Sequence, residues 1–162
     1  MIGTAQASLI PSFQLITRWR GDAATRKAGR VHPSAGKTIK KVAIVEDELM
    51  VAWTIESMLE DLGYEIVGIF AKGEDAIAAL QDVAVDLVCM DINLGRGIDG
   101  IEAARRIRER QAPAILFITA YSDSGTKTRI LESAPDAIVI GKPMTQAKLE
   151  QAIGSFTGSP SQ

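Results

Sequence analysis

Cysteine occurs once in this chain, at Cys89, which excludes an intramolecular disulfide framework and any cysteine-rich zinc site. Histidine also occurs once, at His32 beside a proline, where a solvated loop residue is expected rather than a catalytic or phosphorylated one. Long apolar runs are missing as well. None approaches 18 residues, so no membrane span is expected. A charge of one sign is equally absent from the total, which is a formal -2. That small number hides a split. Residues 1–41 carry Arg18, Arg20, Arg26, Lys27, Arg30, Lys37, Lys40 and Lys41 against Asp22 alone, a formal +7, and residues 42–162 carry the compensating -9.

What is present fits one domain with a tail. The chain has 162 residues, 46% of them hydrophobic, and a domain typically takes roughly 150. A body of about 120 residues buries roughly two-thirds of its unfolded surface, so it needs no disulfide or structural metal. Residues 1–38 read as a basic, disordered leader, because Pro11 interrupts their one apolar stretch and RWRGDAATRKAGR (18–30) buries too little to offset its ordering entropy. Three other readings of the leader are an organelle transit peptide, a tail touching nucleic acid or an acidic partner, and extra coding from an upstream start codon, since no other Met occurs before Met50. Residues 39–157 read as the folded domain and 158–162 as a second disordered tail.

The body alternates short apolar runs with helical patterns. VAIV at 42–45 suits a strand buried on both faces. Residues 48–62 place Leu49, Ala52, Ile55, Leu59 and Leu62 on one helical face and Glu56, Glu60 and Asp61 away from it, with Gly63 at the C′ position. Strands are expected at 66–70, 87–91, 115–119 and 137–140. Helices are expected at 74–81, 101–110, 124–133 and 145–156, the last capped by Thr145. Five β–α units give an α/β fold, a parallel sheet with helices on both faces. In such sheets ligands sit beyond the carboxyl ends of the strands.

Those strand ends read Glu46-Asp47, Asp91, Thr119 and Gly141-Lys142. Three carboxylates gathered at adjacent strand tips cannot all stay ionised without a cation. A hard divalent ion such as Mg²⁺, held by oxygen ligands, is the natural compensation. Lys142 adds a positive charge and Thr119 a hydroxyl. Together with a carboxylate these groups form a site for a transferring phosphoryl group. Asp91 is the strong nucleophile candidate at its centre, giving an acyl phosphate.

The segments VAIVEDE (42–48), LVCMDIN (87–93), DGIE (99–102), FITAY (117–121) and GKP (141–143) together resemble the receiver domain of two-component response regulators, of the stand-alone type. The resemblance covers about residues 40–157. It implies a flavodoxin-like (βα)5 doubly wound sheet with strand order 2-1-3-4-5. It implies Asp91 as phospho-acceptor, Asp47 as a direct Mg²⁺ ligand, Glu46 acting mainly through water, and the Asn93 carbonyl as a third protein ligand. Thr119 and Lys142 become the phosphoryl-binding switch residues, and the Lys142–Pro143 peptide is expected to be cis. A sensor histidine kinase or histidine phosphotransfer protein becomes the donor, docking at the first helix. Output is expected through a downstream protein or onward relay from a cytoplasmic monomer or weak homodimer. Only TGSPSQ (157–162) follows the domain, so no DNA-binding or enzymatic output domain is expected. The other readings are the receiver module of a hybrid kinase and a non-phosphorylated pseudo-receiver acting as a binding module.

Three features depart from the family pattern. The acidic pair is Glu46-Asp47 rather than Asp-Asp. The loop from Leu94 to Gly100 lacks a proline after Leu94 and is one residue longer than usual. Val139 stands where many receivers carry a switch aromatic, which makes Tyr121 a candidate substitute reporter. The GRGIDG string at 95–100 also matches a dinucleotide-binding pattern. Too little chain follows for a second mononucleotide half, and Asp91 would oppose a pyrophosphate. These glycines are read instead as letting the loop turn tightly. Cys89, Met50, Met58 and Met90 are expected in the core. Arg105, Arg106, Arg108 and Arg110 are expected to form a solvated helix face.

Overall fold

Alternation of side chains along buried strands decides the architecture. The computed structural model describes residues 38–120 and 123–158, together with the backbone of 18–19. Within them the strands are β1 (Arg18–Trp19), β2 (Lys41–Val45), β3 (Glu65–Phe70), β4 (Leu87–Met90), β5 (Ala114–Thr119) and β6 (Ile138–Gly141). The helices are α1 (Leu49–Asp61), α2 (Gly73–Ala79), α3 (Gly100–Arg108), α4 (Ser124–Ser133) and α5 (Gln146–Thr157). Successive strand residues point to opposite faces. Ala43, Val45, Val88, Met90, Ile115 and Phe117 therefore pack with α2, α3 and α4, in a core that includes Ala76, Ile101, Ala104, Ile107 and Ile130. Val42, Ile44, Leu87, Cys89, Leu116 and Ile118 pack on the other face with Ile55, Leu59, Leu149 and Ile153 of α1 and α5. Each such large aliphatic side chain contributes about 1.5–3 kcal/mol by leaving water.

The sheet runs β1-β3-β2-β4-β5-β6. Strands β2 to β6 are parallel throughout. Counted from β2 they follow the expected 2-1-3-4-5 order, which puts the switch in strand order between β2 and β4. The sequence reading did not include β1. It pairs antiparallel with the outer edge of β3, Arg18 opposite Ile69 and Trp19 opposite Gly68. Residues 1–17 and 20–37 of the leader, His32 among them, and Tyr121 lie outside the described residues.

Helix ends follow local chemistry. The side chains of Asp99, Asp123 and Thr145 accept from the backbone N–H three residues on, closing the first turns of α3, α4 and α5. Helix α1 ends as its glycine requires. Gly63 has φ +85°, and the Tyr64 N–H donates to the Leu59 carbonyl at 3.0 Å.

Two expectations on α1 are corrected. Met50 is exposed rather than buried, because it lies about 200° around the helix from Ala52, on the solvent side. Glu56 is buried rather than pointing away, since it sits one turn after Ala52 at the flank of the apolar stripe. Arg105 and Arg106 of α3 are exposed and pair with Glu102 of their own helix, Arg105 also with Glu109 at its C-cap, as a solvated face does. Arg108 departs from that face. It is largely covered and pairs with Asp136 beyond α4.

Cys89 is buried in β4, and that burial pushes its thiol up to about 12. At pH 8 only about one molecule in 10⁴ then carries the thiolate, the form that reacts. Iodoacetamide at pH 8 is expected to leave Cys89 unmodified in the folded protein and to alkylate it fully in guanidinium. Intact mass checks both outcomes.

Candidate functional site

Neighbouring parallel strands bring their carboxyl ends to one rim. The Asp91 N–H donates to the Val45 carbonyl at 2.8 Å, and the Glu46 N–H donates to the Phe70 carbonyl at 2.9 Å. The ladder thus continues one residue past β2 and β4 and sets Glu46 and Asp91 side by side. Both are buried, at 1% and 7% exposure, whereas Asp47 turns out to solvent. Carboxylate oxygens of all three lie within 4.8 Å of one another.

Among the described residues, Lys142 brings a cation to this cluster. Lys142 Nζ donates to Asp91 Oδ2 at 2.8 Å and to Glu46 Oε2 at 2.9 Å. Lys142 follows directly on β6, and its own N–H donates to the Thr119 carbonyl at 2.9 Å, so the lysine and Thr119 are held together. Thr119 closes β5 and is buried. The Lys142–Pro143 peptide is cis, as expected. Burial pushes the Glu46 carboxyl up to about 6, and the nearby Asp91 charge adds to the effect, against the opposing pull of the Lys142 hydrogen bond. Burial by itself would lower Lys142. Its bonds to Asp91 and Glu46 outweigh that cost and leave its ammonium above the ordinary lysine range.

The loop from Asp91 to α3 completes the rim. The Asn93 N–H donates to Asp91 Oδ1 at 3.3 Å. Gly95 and Gly97 take φ of +67° and +107°, so these glycines do turn the loop. A Cβ on Gly95 would stand 3.1 Å from Asp47 Oδ2, which shows how closely the loop passes the acidic cluster. Gly100 is tighter still. A Cβ there would lie 1.9 Å from the Asp91 carbonyl oxygen.

The structure thus brings Glu46, Asp47, Asp91, Asn93, Thr119 and Lys142 to one end of the sheet. Val139 is half-exposed on β6, opposite Phe117 in register. Two contributors escaped the sequence reading. Gly100 was read only as part of a motif, although its backbone packs under Asp91. Glu74 of α2 was not singled out at all, although its Oε1 accepts from the Ile98 N–H of the loop at 3.0 Å. The DG pair before an apolar helix hints at the first. Nothing in the sequence marks the second.

Beside the acidic rim, Met50, Val51 and Thr54 of α1 line a mostly apolar groove of about 290 Å³ with Ile118, Lys142 and Met144. Trp53 is also half-exposed on α1. No helix among the described residues is long and apolar enough to cross a membrane.

Comparisons with known proteins identify the family. The transcriptional regulatory protein PdtaR of Mycobacterium tuberculosis is 33% identical over 114 residues, covering 70% of this chain and 55% of that protein. The phyllosphere-induced regulator PhyR of Methylorubrum extorquens is 28% identical over 116 residues, covering 70% of this chain and 42% of that protein. The chain therefore spans about half the length of these relatives. Among solved structures, the receiver domain of the sensor histidine kinase PA1611 from Pseudomonas aeruginosa matches with a TM-score of 0.66 at 27% identity, over 75% of this chain and all of that one. That structure holds a magnesium ion coordinated in its active site cleft. The sequence profile of the response regulator receiver domain matches residues 42–154, the span from β2 into α5 that builds the acidic rim, and the chain belongs to that family.

Proposed function

We propose that this chain is a phospho-accepting receiver in a two-component or phosphorelay pathway, with Asp91 as the acceptor. The observation that carries the reading is the contact set of Asp91, a buried carboxylate bonded to Lys142 and crowded by Glu46 and Asp47. An Asp91 carboxylate oxygen attacks the phosphorus of a phosphohistidine or a small phosphodonor. A P–O bond forms to Asp91, the donor's bond to phosphorus breaks, and its electron pair leaves with the donor. Lys142 and the Thr119 hydroxyl then hold phosphoryl oxygens, at the charge that develops there. Hydrolysis of the acyl phosphate returns Asp91 and phosphate.

The donor set fits Mg²⁺. Carboxylate oxygens of Glu46, Asp47 and Asp91 lie close together, and Lys142 is too little charge to offset them. Asp47 and Asp91 would hold the ion directly with the Asn93 carbonyl, and Glu46 through water. Bound there, it supplies neutralising charge for the incoming phosphoryl oxygens. A tenfold or greater excess over Kd stabilises the fold by mass action, reaching about 2.7 kcal/mol at a hundredfold excess. Mg²⁺ is expected to raise the melting temperature of the wild type, and Asp47→Asn is expected to lose that rise. Because Asp47 is exposed, its substitution leaves the metal-free melting temperature nearly unchanged.

The donor is a sensor histidine kinase or histidine phosphotransfer protein. Exposed Met50 and Trp53 on α1, beside the groove that ends at Lys142, offer it an apolar footing next to Asp91. Output passes by protein contact or onward relay, and a change in the rim must favour one arrangement by several kcal/mol to shift the population fully. Incubation with a small phosphodonor and Mg²⁺ tests the reading. One phosphoryl group added to the intact mass is expected, and no adduct overturns it.

A further inference from the structure

The glycine-containing loop between β4 and α3 carries the Asn93 carbonyl and passes against Asp47, yet its glycines give it no stiffness of their own. What holds it is the start of α2. Gly73 packs so closely on the loop that a Cβ there would lie 2.9 Å from Ile98 Cγ1 and 2.8 Å from Ala103 Cβ. One residue on, Glu74 Oε1 accepts from the Ile98 N–H at 3.0 Å. Gly97 has no side chain where a Cβ would stand 2.5 Å from the same oxygen, so the loop leaves room for that carboxylate. Packing of the Ile98 side chain on Gly73 and a hydrogen bond from the Ile98 N–H to the Glu74 carboxylate thus hold the same residue from the same helix turn. The far side of the loop is tied as well. Asp99 caps α3 through the Glu102 N–H and pairs with Arg129 of α4.

We infer that Glu74 is a positioning residue for the metal corner, pinning the extended loop so that Asn93 and Asp47 keep a fixed spacing. This rests on the reading of the acidic rim as a Mg²⁺ site. Glu74 touches neither the metal nor a phosphoryl group. It acts through the Ile98 backbone, and outer partners of this kind tune metal affinity.

Two variants separate a latch from a simple charge effect. Glu74→Gln keeps an oxygen that accepts from the Ile98 N–H, and Glu74→Ala removes it, while both lose the negative charge equally. Mg²⁺ affinity by calorimetry is expected to fall about fivefold in Glu74→Ala, the worth of one hydrogen bond, and to stay within about twofold of wild type in Glu74→Gln. Hydrogen exchange at the Ile98 amide is expected to quicken in Glu74→Ala alone. Equal weakening in both variants, or wild-type affinity in Glu74→Ala, overturns the inference. Since Glu74 is exposed, both variants fold, which melting temperature verifies. A wild type that binds no Mg²⁺ overturns the metal site itself. The Ile98 exchange rates then still show whether Glu74 pins the loop, so the two failures are told apart.

Discussion

Replacing Gly100 with alanine is expected to destabilise the domain by about 3 kcal/mol or more, at the upper end of what overpacking a core costs. Ordinary overpacking lets a side chain rotate away. Here the obstacle is backbone, because the new Cβ would stand 1.9 Å from the Asp91 carbonyl oxygen and 2.9 Å from its carbon. The Gly100 N–H also donates to the Ile92 carbonyl at 2.9 Å, so the chain cannot back off without losing that bond. The third neighbour is Met90 Cγ at 2.9 Å, in a side chain with no exposure at all. Relief must therefore come from moving the Asp91 peptide or the first turn of α3. For a body of about 120 residues, 3 kcal/mol lowers the melting temperature by roughly 10 °C. Gly141→Ala is the comparison. A Cβ there meets nothing within 4 Å, and no positive φ is involved, so its melting temperature is expected to move little. Circular-dichroism melts of the two variants decide it, and equal stability would overturn the expectation.

Gly100 also shows where the sequence was legible and where it was not. The strands could be read because β2, β4 and β5 are buried on both faces and so appear as unbroken apolar runs. The candidate site could be read because charge at the end of such a run has few explanations other than a ligand. Thr145 and Gly63 were readable as local cap signals, which depend only on residues a turn away. Met50 and Glu56 were misjudged because neither sits squarely on the apolar stripe of α1, and packing decides which flank is covered. Glu74 and Gly100 act across 24 and 9 residues of sequence, through backbone atoms that carry no side-chain signature. Strand β1 was hidden for a related reason. A two-residue pairing to an open sheet edge is made by backbone alone, and nothing in an arginine and a tryptophan announces it.

Asp91→Asn is expected to abolish phosphoryl uptake while leaving the fold intact, and the two halves of that statement have separate physical causes. An amide oxygen is a far weaker nucleophile than a carboxylate and carries no charge to hold a divalent ion, so the adduct is lost rather than slowed. The fold survives because asparagine is nearly isosteric and its carbonyl oxygen can still accept from Lys142 Nζ, now 2.8 Å from Asp91 Oδ2. Stability is expected to hold or rise. Glu46 stands at about 6 partly because Asp91 is charged beside it, and removing that charge relieves the crowding. The sign follows from linkage. A carboxyl raised from 4.5 to about 6 costs the folded state stability that builds up as the pH rises through that interval and is complete above it, so the gain from Asp91→Asn is expected at pH 7 and shrinks on acidification. Intact mass after exposure to a small phosphodonor and Mg²⁺ gives the first readout, and melts at pH 5 and pH 7 without metal give the second. An undiminished adduct in Asp91→Asn would place the acceptor elsewhere. A lost adduct together with a collapsed melt would leave the chemistry unassigned to this side chain, and Asp91→Glu then separates the causes: it keeps the charge but moves the carboxylate one methylene along the rim. If it folds, binds Mg²⁺ and still takes up no phosphoryl group, placement of the nucleophile is what the strand ends supply.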